Sequence, residues 1–297
     1  MTGVVPALLC AVCYSLSYVL LHRGQAELDS DDNGLLPILV VGSLMLGLAA
    51  LVKVAHDTDA GLLSSPRAWM GYGLCALGGI VGTMLGRMSL YGAIRMLGAT
   101  RGVVIETLET MVTLVLAALF LQESLNAERL AGVALIFASI GVLLWERQRH
   151  PQRTLLTLGV SLGLAAALFK GSGHFLRKLG MNQGLDPTLA AALDVTAACV
   201  SYLAVLAASG RLGPYIRVYT RTFNVYLWSA GCLSAAGVLL FFVAAATSPI
   251  STVAVIVGLE PVLVALFSIV LLRGLDRLTW WTALYAALAT AGVMLAK

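Results

Sequence analysis

Ten apolar runs follow one another along this chain of 297 residues, and together they decide its solvent. They cover Gly3–Leu21, Leu35–Ala55, Ala68–Tyr91, Gly102–Leu121, Arg129–Trp145, Thr154–Leu176, Thr188–Ser209, Val225–Thr247, Thr252–Leu272 and Thr279–Leu295. Roughly 20 apolar residues wound as a helix cross a ~30 Å hydrocarbon core. Within lipid each run must be helical, because an open strand would leave backbone N–H and C=O groups without partners. Composition agrees: 59% of residues are hydrophobic, 11% are charged and mean hydropathy is +0.91. A soluble domain carries about 25% charged residues, so a water-soluble globular enzyme is excluded. Disorder is excluded too, since it requires low hydrophobicity and high net charge. The chain reads as an all-α integral membrane protein with ten transmembrane helices. The connections between them are too short to hold a separate soluble domain.

The net charge of +4 is spread over the connections, with no basic stripe, so no nucleic-acid partner is implied. Residues Met1–Pro6 lack a basic leader region, and the first run reads as a span rather than a cleaved signal. All five cysteines (Cys10, Cys13, Cys75, Cys199, Cys232) fall inside runs, which argues against a disulfide framework. Cys10 and Cys13 share a helix face and read as small packing residues. No G-x-x-x-x-G-K-[ST] is present, so ATP is not implied, and no cofactor or metal is expected. Neither H-E-x-x-H nor G-x-S-x-G occurs, which disfavours an intramembrane enzyme.

The most polar break, Glu146–Arg153, leaves five runs on either side and divides the chain into residues 1–146 and 147–297. A shift of 151 aligns Tyr91–Glu146 with Phe242–Lys297 without a gap. Leu108-Glu109-Thr110 then lies on Leu259-Glu260-Pro261, an acid at equal depth in two apolar helices. A shift of 155 places Tyr14 on Phe169, Ser17 on Ser172 and Arg23 on Lys178. Because five is odd, a second half with the same fold must sit upside-down relative to the first. Inverted repeats of this kind build two related faces around a midplane site and suit alternating access.

Leu259-Glu260-Pro261-Val262, its counterpart Leu108-Glu109-Thr110-Met111, and the helix-ending Leu121-Gln122-Glu123 followed by Ala131-Gly132-Val133 and Gly141-Val142 carry a family likeness. In these motifs and in its doubled arrangement the chain resembles the ten-helix EamA-type branch of the drug/metabolite transporter superfamily over its whole length. It departs at Thr110, where the family usually has Pro, and at Gly274, where the second half usually repeats the terminal Glu. In size and character it is similar to bacterial exporters of amino acids, aromatic ones among them. The resemblance implies that spans one, three, four, six, eight and nine surround a central cavity. Tyr14, Tyr18, Tyr91, Phe169, Phe241 and Phe242 would then line it, with helix packing or lipid contact as the bland reading of each.

An ionisable side chain at bilayer depth costs ~2.5–3.5 kcal/mol on insertion scales, so each one needs a reason. The candidates are Glu106, Glu109, Lys170, His174, Asp194 and Glu260. Glu109 and Glu260 attract an ammonium or a proton on the functional reading, and accept local hydrogen bonds at helix breaks on the structural one. Glu106 is expected near a helix start, where the dipole explains it. Lys170 has no acid three or four positions away, so its partner must come from another helix, with Glu109, Asp194 and Glu260 as the choices. His174 shares its face and is expected at an interfacial helix end. Arg87 is expected to snorkel. Trp69, Trp145, Trp228, Trp280 and Trp281 lie near run ends and read as interfacial anchors. Gly78, Gly82 and Gly86 form a doubled G-x-x-x-G, a close-packing face.

The combined expectation is a secondary transporter in a bacterial cytoplasmic membrane that exports small amphipathic metabolites, amino acids first, by alternating access. The alternative is proton-coupled efflux of drugs or lipophilic cations. With a cytoplasmic N-terminus, six basic residues fall in inside connections and eleven outside. That count favours both termini outside, whereas the resemblance implies both inside. Oligomeric state is not encoded in any of these patterns.

Overall fold

Each apolar run is helical in the computed structural model, which describes residues 3–28, 31–56, 66–121, 127–148, 153–272 and 279–295. The first five spans are α1 (Val4–Glu27), α2 (Leu35–His56), then α3 (Pro66–Gly78) running through a π-helical stretch, Gly79–Gly86, into α4 (Arg87–Leu97). They continue with α5 (Ala99–Glu106) plus α6 (Leu108–Leu121), and α7 (Ala127–Gln148). The second five are α8 (Arg153–Met181), α9 (Pro187–Ala208), α11 (Val225–Thr247), α12 (Ile250–Val257) plus α13 (Glu260–Leu271), and α14 (Trp280–Leu295). A short helix, α10 (Leu212–Arg221), lies between α9 and α11. Among the described residues there is no strand.

Local signals set several boundaries. Asp186 caps α9, its Oδ1 accepting from the N–H groups of Thr188 (2.9 Å) and Leu189 (3.1 Å), with Pro187 in the first turn. Asn224 caps α11 in the same way. Gly98 turns the chain between α4 and α5 at φ 90°, a backbone conformation that favours glycine.

The packing is symmetric under exchange of the halves. α1 packs on α11 as α8 packs on the π stretch and α4, and α1 packs on α13 as α8 packs on α6. α2 meets α11 as α9 meets α3 and the π stretch, while α7 and α14 pair with each other. The breaks repeat as well. α5 and α12 begin at Ala99 and Ile250 and end at Glu106 and Val257, both separated by the shift of 151 read from the sequence. Two five-helix repeats of opposite sense make up the fold.

The glycines of the third span form the seat of α8. A Cβ on Gly78 would lie 3.2 Å from the Gly173 carbonyl oxygen, and one on Gly86 would lie 3.3 Å from the Lys170 nitrogen. Side chains there would hold the helices apart, so the small residues are what let α8 approach.

Three expectations are corrected here. Span six runs to Met181, so Arg177 and Lys178 are helical residues and not part of a connection. Arg87 is 6% exposed and does not snorkel. α10 lies outside the ten apolar runs, because it buries only Tyr215 and Tyr219 and leaves Arg217 and Arg221 exposed. The Tyr219 hydroxyl donates to Asp32, which pins α10 to the connection before α2. All five cysteines are free thiols. Residues Gln122, Glu123 and Gly274 of the family motifs lie outside the described residues.

Candidate functional site

The fourth and ninth spans are each broken in the apolar interior of the chain, and both repeat-related acids stand just after the break. Glu109 is in the first turn of α6 and Glu260 is the first residue of α13. A helix start carries partial positive charge, so both positions favour a carboxylate. Glu106 has the opposite setting. It ends α5 and does not begin a helix, so the dipole cannot account for it and an outside cation must.

That cation is Lys170 of α8. Its ammonium is paired with Glu106 Oε1, lies 3.3 Å from Glu109 Oε2, and donates to the Tyr18 hydroxyl at 3.1 Å. It also stands 5.6 Å from the ring centre of Tyr18 and 5.9 Å from that of Tyr14. Of the partners expected for Lys170, Glu109 is present and Asp194 is not, while Glu106 takes the place that the dipole argument denied it. The acids belong to the first repeat and the lysine to the second, so the pairing joins the halves.

His174 lies one turn on, 7% exposed inside α8, and is not at an interfacial helix end. Its Nε2 is 3.5 Å from Glu109 Oε2 and its Nδ1 is 3.2 Å from Arg177 Nη1. Arg177 in turn donates from Nε to Asp194 Oδ1 at 2.8 Å, and from Nη2 to Thr83 Oγ1 at 2.6 Å. The Thr83 hydroxyl donates to Asp194 Oδ2 at 2.6 Å. Lys170, His174 and Arg177 form one stripe of α8 at i, i+4 and i+7. This spacing places Arg177 beside the two residues that the sequence singles out, although a run closed at Leu176 leaves it out.

Aromatic rings flank the charges. Tyr14 and Tyr18 stack with centres 6.1 Å apart and planes 7° apart. Phe241 packs on His174 at 4.5 Å and meets Phe242 edge-on at 6.1 Å, with the Arg177 guanidinium 5.7 Å from the Phe241 ring centre. Tyr91 is fully buried on α4. Phe169 is half-buried next to Lys170 on α8 and has no ring contact with this cluster. The structure thus brings Tyr14, Tyr18, Glu109, Lys170, His174, Phe241 and Phe242 together, and leaves Phe169 apart.

Two narrow clefts meet at Glu109 and Thr110. One also reaches His174 and Phe241. The other reaches Glu106, Thr107, Gly258 and Glu260, and Val257 lines both. Glu260 is 4% exposed, and neither of its carboxylate oxygens accepts a hydrogen bond from a described residue. A side chain reaches it only through the backbone, where the Ser15 hydroxyl donates to its carbonyl oxygen at 3.4 Å. The cause is in the repeat: the shift of 155 puts Ser15 where the second half has Lys170. Among the described residues, no group of three or more His, Cys, Asp or Glu is placed to hold a metal.

Discontinuous helices with acids at the breaks, set between two inverted five-helix repeats, define a membrane transporter of small substrates. The chain belongs to the EamA-like transporter family, whose model matches residues 1–145 and 157–296. This is a family of transporters and not of enzymes, within the drug/metabolite transporter superfamily. No curated protein sequence matches the chain. One solved crystal structure is similar over 98% of this chain and 95% of its own, with TM-score 0.63 and 17% identity, a likeness that speaks for the fold.

Proposed function

We propose that the protein exports small amphipathic metabolites, amino acids first among them, by alternating access in a bacterial cytoplasmic membrane. The halves that move would be residues 1–146 and 147–297. The observation that carries this reading is the Glu260 carboxylate, which takes no hydrogen bond from a described residue, at one of two clefts that share Glu109, the other of which is lined by Phe241. An amphipathic substrate needs both a charged contact and an apolar one. Glu260 and Glu109 supply a seat for an ammonium, and Tyr14, Tyr18, Phe241 and Phe242 supply the apolar contact. Lys170 is already matched by two acids, so it serves as the bolt between the halves, and breaking or re-forming that bolt accompanies the change of access.

A second reading, proton-coupled efflux of lipophilic cations, is favoured by the same free carboxylate. Proteoliposomes containing only this protein separate the two. Labelled aromatic and small amino acids are expected to enter, with or without an imposed pH gradient. Failure of every amino acid, alongside gradient-driven entry of a lipophilic cation, would replace the first reading by the second.

A further inference from the structure

Arg87 is the buried cation that the charge network leaves over. It is 6% exposed at the junction of the π stretch and α4, yet its side chain makes no ion pair and no hydrogen bond with any described residue. Its electrostatic neighbours are Tyr91, Tyr14 and Tyr18, and the carboxylates of Asp194 and Glu106 act on it without forming a hydrogen bond or ion pair. Asp194 is already occupied by Arg177 and Thr83. Glu106 is likewise occupied by Lys170. A guanidinium has five donors and no way to lose its charge inside a protein, so burial without a hydrogen-bonded anion is a standing cost. Arg177, buried to the same degree on a neighbouring helix, is fully engaged. The contrast between the two arginines is the central observation.

A second polar group faces the same place. Tyr91, one turn after Arg87 on α4, is fully buried and its hydroxyl has no hydrogen-bond partner within geometric reach among the described residues. α1, which carries Tyr14 and Tyr18, packs against both α4 and α13, the helices that carry Arg87 and Glu260. An unpaired guanidinium and an unpaired phenol one turn apart on α4, and a carboxylate on α13 that takes no hydrogen bond, are the kinds of group a small zwitterion requires.

We propose that Arg87, with the Tyr91 hydroxyl, is the carboxylate-binding end of the substrate site, and that the substrate carries a carboxylate. The assignment rests on the amino-acid reading above. Guanidinium and carboxylate are matched in shape, two parallel N–H donors to two oxygens, and the low dielectric of the span strengthens the pairing.

The test compares L-phenylalanine with L-phenylalaninamide, which keeps the ring and the amine and lacks the carboxylate. Wild-type protein in proteoliposomes is expected to take up the acid and not the amide. Arg87→Met is expected to lower uptake of the acid by about 10- to 100-fold, the range for losing a charged hydrogen-bonded pair. It also abolishes the rise in melting temperature that the acid gives the wild type in detergent. If Arg87→Met does not fold, Arg87→Lys carries the test, with KM for the acid raised about tenfold and maximal rate within about twofold, since an ammonium cannot reproduce the bidentate contact. Unchanged uptake of the acid in Arg87→Met, or unchanged KM in Arg87→Lys, overturns the role of Arg87 while leaving amino-acid transport standing. Equal uptake of acid and amide by the wild type also overturns it. A wild type that takes up no amino acid removes the underlying reading, and this inference with it.

Discussion

Lys170 in the second repeat is paired with Glu106 in the first, at the C-terminal end of α5 where the helix dipole opposes a carboxylate. Glu109 shares the same ammonium at 3.3 Å. Removing the lysine therefore leaves Glu106 without its ion-pair partner and Glu109 with His174 alone. Lys170→Met is expected to lower stability by roughly 3–5 kcal/mol, the cost of breaking a buried pair by deleting one partner. Adding Glu106→Gln to it should recover most of that loss without restoring transport. Thermal unfolding in detergent reads the first effect and proteoliposome uptake the second. Normal transport by Lys170→Met would reduce the lysine to a packing role.

Arg177 and Asp194 give a purely structural counterpart. Both are 4% exposed or less, joined at 2.8 Å and buttressed by Thr83 on the π stretch. Asp194→Asn or Arg177→Met alone should each cost roughly 3–5 kcal/mol. The double variant Arg177→Met with Asp194→Leu should fall well short of the sum, because neither leaves a buried charge behind. Additive losses in melting experiments would show that the two residues act separately.

The fold is legible in the sequence because its determinants are periodic. Apolar length fixes the ten spans, and the shift of 151 that aligns Glu109 with Glu260 also predicts where α5 and α12 begin and end. Most of the candidate residues are legible as well, since a charge in an apolar run stands out. Partnership is not. Glu106 and Lys170 are 64 positions apart, and only the crossing of α5 and α8 tells that they meet. Arg177 and Arg87 escape the sequence pattern for a related reason. A charge near the end of an apolar run looks interfacial until the packing shows the helix continuing beyond it.

The glycine seat beneath α8 sets a packing limit that can be measured. A Cβ on Gly173 would lie 2.9 Å from the Gly82 nitrogen and 3.1 Å from the Gly78 carbonyl oxygen, both rigid backbone. Gly173→Ala should cost about 1–3 kcal/mol through forced separation of α8 from the third span. On α3, a Cβ added to Gly73 would meet nothing within 4 Å, so Gly73→Ala should be neutral or gain up to about 1 kcal/mol of helix propensity. Melting temperatures that fall equally for both would remove the packing argument.

The two repeat-related acids should respond oppositely to the same substitution. Glu109 is held by Lys170 and His174, whereas Glu260 receives no side-chain donor because Ser15 stands where the other half has Lys170. Glu109→Gln removes one of the two charges that balance Lys170 and should lower the melting temperature. Glu260→Gln removes a buried charge that no hydrogen bond or ion pair holds and should leave the melting temperature unchanged or higher. Transport sorts them the other way. If Glu260 seats an ammonium, Glu260→Gln should reduce uptake of an amine-bearing substrate by about 10- to 100-fold, the range for one charged hydrogen bond. N-acetylation of the substrate should reduce wild-type uptake to a similar level and add nothing to the Glu260→Gln defect. A stable Glu260→Gln protein that still distinguishes the free amine from its acetylated form would move the ammonium seat to Glu109.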